Sequence, residues 1–299
     1  MTISGQTQSK VLNAARDMGY APNVSARRLR NSGGIKKLVV IYWASNFHAV
    51  HVFRFLQGLH FYMKRKEAAY EIIIHPFKPG NLPALLSPSA LSVYSAGIVC
   101  TGDEEDIAFL ERMKFVTPLV FCSRYSEKYS SVTVDNREIG SAAAKILWDR
   151  GKRKALAVYS ARNVFFVNEW VETFIAAFRK RGGDAETLNV LDNTIASAYN
   201  GALAVDFQGD LGVFCTTDVL AMGILKRLHE LGLEGESAHI VYITTLNREI
   251  SSFALPGCST LEIPIEKMGY KCLETIDRIF KGEILKPCAV KVKFTPSRE

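Results

Sequence analysis

Gly212-Val213-Phe214-Cys215-Thr216-Thr217-Asp218-Val219-Leu220-Ala221-Met222-Gly223 is the stretch on which the fold turns. Its first four residues form a short apolar run without polar alternation, which suits a strand covered on both faces. Asp218 then opens a helical pattern that continues to Leu231. A covered strand passing straight into a helix is the unit of a parallel α/β sheet.

Outward from this stretch the same unit repeats. Strands are predicted at 155–159, 188–191 and 239–243, with helices at 165–181 and 194–205 between them. Nearer the start, strands are predicted at 38–43, 71–75, 96–100, 118–122 and 132–134, and helices at 51–66, 103–113 and 136–150. A strand at 258–261, a helix at 265–280 and a strand at 289–294 close the chain. The rhythm restarts near Lys154, after the break at Gly151-Lys152. Two doubly wound parallel-sheet lobes are therefore expected. The first comprises 35–152 plus 259–285, and the second 153–258 plus 286–299. A chain of 299 residues also exceeds what one core usually fills.

Composition narrows the function. Hydrophobic residues are 48% and charged residues 22%, which fits a folded globule and excludes a disordered chain. No apolar run approaches the ~18 residues of a membrane span, and residues 1–10 lack an apolar leader core. Cys100, Cys122, Cys215, Cys258, Cys272 and Cys288 form no C-x-x-C pair and lie mostly in apolar runs. They read as buried thiols of a reducing, cytoplasmic protein. The formal net charge of +7 is concentrated at one end: residues 1–37 hold seven basic side chains and one acid, while the rest hold 30 and 29. Such a basic arm suits a polyanion, nucleic acid or an anionic surface, or is a solvated tail.

Within that arm, residues 4–18 read as a helix with Val11, Leu12, Ala15 and Met18 on one face and Gly19 at its end. Pro22 opens a second piece, 23–30, too short to hold a helix alone.

No G-x-S-x-G, H-E-x-x-H, phosphate-binding loop or G-x-G-x-x-G occurs, so neither catalytic residues nor a cofactor are expected. His48 and His51 are three apart with no further ligand nearby, so no metal site is expected. The acidic run at 103–106 reads as a helix N-terminus capped by Thr101 or Asp103. Strand ends in doubly wound lobes are where ligands bind. They deliver Trp43, Ser45, Asn46, Phe47, Arg124, Asp135, Ser160, Thr217, Asp218 and Thr244, an assortment that suits a polar small molecule. Asp135 equally suits a helix cap, Asp218 suits a cap better than a ligand group, and Trp43 equally suits a core.

The basic arm and several body motifs resemble the lactose/galactose-repressor (LacI/GalR) family of bacterial regulators. Gly19-Tyr20-Ala21-Pro22-Asn23 and Ala26-Arg27-Arg28-Leu29-Arg30 match the end of that family's headpiece and its hinge helix. The runs 118–124, 132–136, 212–223 and 259–269 match its body. The resemblance implies a type I periplasmic-binding-protein-like pair of lobes, with 1–34 as a partial headpiece helix and hinge. Two helices of that headpiece would lie upstream of Met1. It implies a homodimer on double-stranded operator DNA, with contacts from Lys10, Asn23, Ser25, Arg27, Arg28 and Arg30. Leu29 would be the apolar wedge in the minor groove. It implies a small-molecule effector, a sugar or related metabolite, that controls DNA affinity from between the lobes. The chain departs from the pattern where Trp170 stands for a common Arg and Thr244 for a common Asp, which removes two charged hydrogen-bonding groups. Trp170, like Trp43, is then either a stacking platform or core. A stand-alone sugar-binding protein shares the same body and is the alternative reading; an enzyme would need a nucleophile and base that the sequence does not bring together.

Overall fold

Leu38 through Ala44 are all buried, as a continuous apolar strand at the middle of a sheet requires. The computed structural model describes residues 37–45, 49–100, 103–160, 165–207, 211–233, 238–244, 258–283, 289–292 and 295–296. The predicted headpiece helix and hinge, with Asn46 and Phe47, lie outside them. The described elements run β1 (Lys37–Ala44), α1 (Ala49–Lys66), β2 (Tyr70–Phe77), α2 (Leu82–Leu85), α3 (Pro88–Leu91), β3 (Ala96–Cys100), α4 (Glu104–Arg112), β4 (Leu119–Cys122) and β5 (Ser130–Val134). They continue with α5 (Asn136–Asp149), β6 (Lys154–Tyr159), α6 (Phe165–Lys180), β7 (Asp184–Asn189), α7 (Ile195–Ala202), β8 (Leu211–Cys215) and α8 (Asp218–Glu230). The chain closes with β9 (Ala238–Thr244), β10 (Ser259–Glu262), α9 (Ile265–Phe280), β11 (Ala289–Val292) and β12 (Thr295–Pro296).

Two six-stranded sheets result, in the orders β2-β1-β3-β4-β5-β11 and β7-β6-β8-β9-β10-β12. Among the described residues every pairing is parallel except β12 on β10. Alternation along β1 fills two cores. Val39, Ile41 and Trp43 pack with Phe55 and Leu59 of α1 and with Met268, Cys272 and Leu273 of α9. Val40, Tyr42 and Ala44 pack with Leu82, Leu91, Leu110 and Phe121 on the other face. The second lobe repeats the plan: Ala155 and Ala157 face α5 and α6, while Leu156 and Val158 face α7 and α8.

The lobe boundaries differ from those expected. Helix α5 packs on α6 and in the second lobe's core through Ile139, Ala143, Ala144 and Leu147. The seam therefore lies at Val134–Asp135, not near 152. Strand β10 belongs to the second sheet and β11 to the first, reversing the assignment of 259–262 and 289–292. Sequence rhythm identifies elements, but only pairing says which sheet a terminal strand joins. The chain thus crosses between lobes after β5, after β10 and after β11. Strand β7 begins at Asp184, earlier than the predicted 188, because an edge strand is half solvated and its polar residues mask it.

Candidate functional site

Asp135, at the first crossover, caps α5: its Oδ1 accepts the backbone N–H groups of Arg137 and Glu138 at 3.1 and 3.3 Å. On the first-lobe side, β4 ends at Cys122 and Ser123 adopts φ +67°, a left-handed conformation. Its N–H donates to Val132 O at 2.9 Å, holding the turn against β5. Arg124 follows. Burial pushes its guanidinium pKa down, against the pull of Glu104, Asp103 and Asp106. On the second-lobe side, α5 and α6 cross at Gly140, where a Cβ would stand 2.3 Å from Trp170 O. This close approach lets Trp170 Nε1 donate to Asn136 Oδ1 at 3.0 Å. Asn136 Nδ2 in turn donates to Glu169 Oε2 at 3.0 Å, and Arg137 Nε to Glu169 Oε1 at 3.4 Å.

Between these walls lies a cavity of about 690 Å³, lined by residues 123–125, Thr133–Glu138, Ser141 and Glu169. Its lining carries hydroxyl, carboxylate, amide and guanidinium groups but no histidine or cysteine. That volume and chemistry suit recognition of a polar small molecule by hydrogen bonding. Among the described residues, no group of three or more His, Cys, Asp or Glu is arranged to hold a metal ion. No described helix is long and apolar enough to cross a membrane.

Of the residues singled out in the sequence, the structure brings Arg124 and Asp135 together on this cavity. Trp43 is 7% exposed and packs edge-on against Phe55, with ring centroids 5.4 Å apart, inside the first lobe's core. Trp170 is buried and packs on Phe166; it touches the cavity only through Asn136. Ser45 is exposed in the turn after β1, its N–H on Phe77 O. Ser160 is buried and donates to Leu191 O at 3.4 Å. Thr217, not Asp218, is the N-cap of α8: its hydroxyl accepts from Leu220 N–H and donates to Asn193 Oδ1. Thr244 ends β9, in register with Glu262. Asp103 caps α4 in a reciprocal box with Asp106. Glu169 and Arg137 were not singled out. Both sit on helices, and their only sequence signal is adjacency to Trp170 and Asn136.

The similarities to known proteins follow the same architecture. A protein of Vibrio cholerae serotype O1 (strain M66-2) named HTH-type transcriptional repressor PurR is 23% identical over 292 residues, which covers 92% of this chain and 82% of that protein. The ribose operon repressor of Lactococcus lactis subsp. lactis (strain IL1403) is 22% identical over 302 residues, covering 97% and 87%. The crystal structure of a LacI family transcription regulator from Clostridium acetobutylicum superposes with a TM-score of 0.81 at 23% identity, covering 88% of this chain and 99% of that one. The family model of the periplasmic binding protein-like domain matches residues 144–296, just over half of the chain, from within α5 to β12. The chain belongs to that periplasmic binding protein-like family and, within it, resembles the LacI/GalR regulators.

Proposed function

We propose that the protein is a dimeric, DNA-binding transcriptional repressor whose operator affinity is set by a small polar molecule, a sugar or related metabolite, held between the lobes. The observation that carries this reading is the polar cavity at the first crossover. It draws Arg124 from one lobe and Glu169 from the other, so an occupant has different contacts in different lobe orientations. The names of the relatives support the repressor half of the reading. The basic arm supplies its DNA-binding end: Arg28, Arg30 and Lys10 contact phosphates, Leu29 wedges a base step, and Asn23, Ser25 and Arg27 complete the hinge contacts. An occupant that favours one lobe orientation changes the spacing of the two arms in the dimer, and with it the DNA affinity. No chemical step takes part.

Fluorescence anisotropy on palindromic and random duplexes across a salt series tests the reading. Replacing Arg27, Arg28 and Arg30 together with Ala should weaken binding on both duplexes. It should also flatten the slope of log affinity against log salt by about 0.9 for each phosphate that is no longer neutralised. Binding unchanged in affinity and slope would remove the arm from DNA recognition. Sugar binding without any DNA affinity would instead favour a stand-alone binding protein.

A further inference from the structure

The second crossover is built unlike the first. Strand β10 ends at Glu262 in the second sheet, and three residues later α9 starts in the first lobe. The turn is tight: Pro264 has φ −78° and ψ 67°, and Ile265 N–H donates to Ile263 O at 2.8 Å. Those values are those of an inverse γ-turn. Ile263 packs against the main cores of both lobes, and Val134 at the first crossover does the same. These two partly buried side chains, one at each crossover, give the hinge an apolar pivot that touches both cores.

Beside this pivot sits a buried guanidinium. Arg54, on α1, has a side chain only 8% exposed. Its Nε and Nη2 donate to the two oxygens of Glu266 at 2.5 and 2.9 Å, and Nη2 also donates to Glu262 Oε1 at 2.7 Å. Glu266 lies in the first turn of α9, so that arm stays within the first lobe. Its base is rigid, because α1 and α9 touch backbone to backbone: a Cβ on Gly58 would stand 1.8 Å from Glu266 O, and one on Gly269 would stand 2.3 Å from Phe55 O. Glu262 lies on β10, so the other arm reaches across to the second lobe.

We propose that Arg54 is the latch of this hinge. The side-on pair with Glu266 anchors the guanidinium to the first lobe, and the bond to Glu262 holds β10, and with it the second lobe, at one resting angle. A rotation about Val134 and Ile263 keeps the apolar pivot and the Glu266 pair but must stretch the Glu262 bond. The latch therefore biases the distribution of lobe orientations. It rests on the two-lobed fold, and it stands or falls separately from the regulator reading.

The test is a distance measurement on the full chain without DNA or effector. Spin labels on non-canonical residues at Lys66 and Lys180, both exposed at helix ends on different lobes, report the lobe-to-lobe distance by pulsed dipolar spectroscopy. Labelled chain is diluted into unlabelled chain so that only pairs within one molecule count. Glu262→Gln keeps shape and removes the charge of the cross-lobe arm while leaving the Arg54–Glu266 pair in place. It should raise the population outside the main distance peak about fivefold, the ratio expected when a charge-assisted hydrogen bond becomes a neutral one. Arg54→Met removes both arms and should raise it further. Glu274→Gln, which breaks the α9 surface pair with Lys271, should leave the distribution as in the parent. A folded Glu262→Gln chain with the parent's distribution overturns the proposal. Should Arg54→Met fail to fold, Glu262→Gln alone decides.

Discussion

Asp135 carries two demands that can be separated. Its carboxylate accepts two backbone N–H groups at the start of α5, and it also lines the cavity between the lobes. Capping needs only a short side chain with an acceptor oxygen, which Asn also has. Asp135→Ala should therefore lower stability by about 1 kcal/mol, and Asp135→Asn should leave it within a few tenths. Urea unfolding of the three chains checks this; equal losses for Ala and Asn would show that the charge, not the cap, is what the fold uses. The stable Asn variant is then the one on which to ask whether the carboxylate matters to a bound molecule. Arg124 and Asp135 were legible in the sequence because they follow strands, where ligands gather in this class of sheet. Trp43 was ambiguous for a physical reason: alternation puts it on the face that α1 covers, and nothing local distinguishes a covered face from a cleft. Glu169 was invisible because its place depends on the crossing of α5 and α6, set by Gly140 and not by its own neighbours in the chain.

Helix pairs carry the next level. Helices α1 and α9 are about two hundred residues apart in the chain, yet they approach so closely that glycine is required on each. At Gly58 two effects of opposite sign compete. Ala is the better helix former by about 1 kcal/mol. Its methyl, however, would stand 1.8 Å from the Glu266 carbonyl oxygen, a backbone atom that cannot swing aside. Overpacking of this kind costs about 3 kcal/mol, so the clash wins. Gly58→Ala should lower the thermal unfolding midpoint by several degrees, while Gln57→Ala, one residue away on the exposed side, should not. A Gly58→Ala chain as stable as its parent would mean that the helices separate without loss. The elements themselves were largely legible, with the predicted 96–100 and 265–280 matching β3 and α9. Helices α2 and α3 were missed. Each is four residues long: α2 is held from outside by Asp106, which accepts the Leu82 N–H at 3.0 Å, and α3 by its own N-cap Ser87, which accepts the Ala90 N–H.

At the scale of the whole molecule, the three crossovers make the first lobe dependent on chain from the far end. The core beneath α1 is filled from the other side by Met268, Cys272, Leu273 and Ile276 of α9, and the free edge of β5 is covered by β11. Neither element belongs to the continuous stretch 37–134. Among the described residues, the second lobe is assembled from 135–262 and takes from beyond that range the two-residue strand β12 and a packing contact from Ile263. A chain ending at Glu262 should therefore fail unevenly. Losing four buried apolar side chains at once exposes the matching faces of Phe55, Leu59 and Tyr62. A large-to-small change at even one such position costs about 2–5 kcal/mol, and a whole domain is stable by only about 5–15 kcal/mol. Amide hydrogen exchange resolves the two lobes in one experiment. Protection should collapse in β1, β3 and β4, although every residue of those strands is present, and should persist in β6, β8 and β9. Protected β1 amides in the shortened chain would show that the first lobe folds without its returning helix, and the lobes would then be units joined in sequence instead of two cores threaded by one chain.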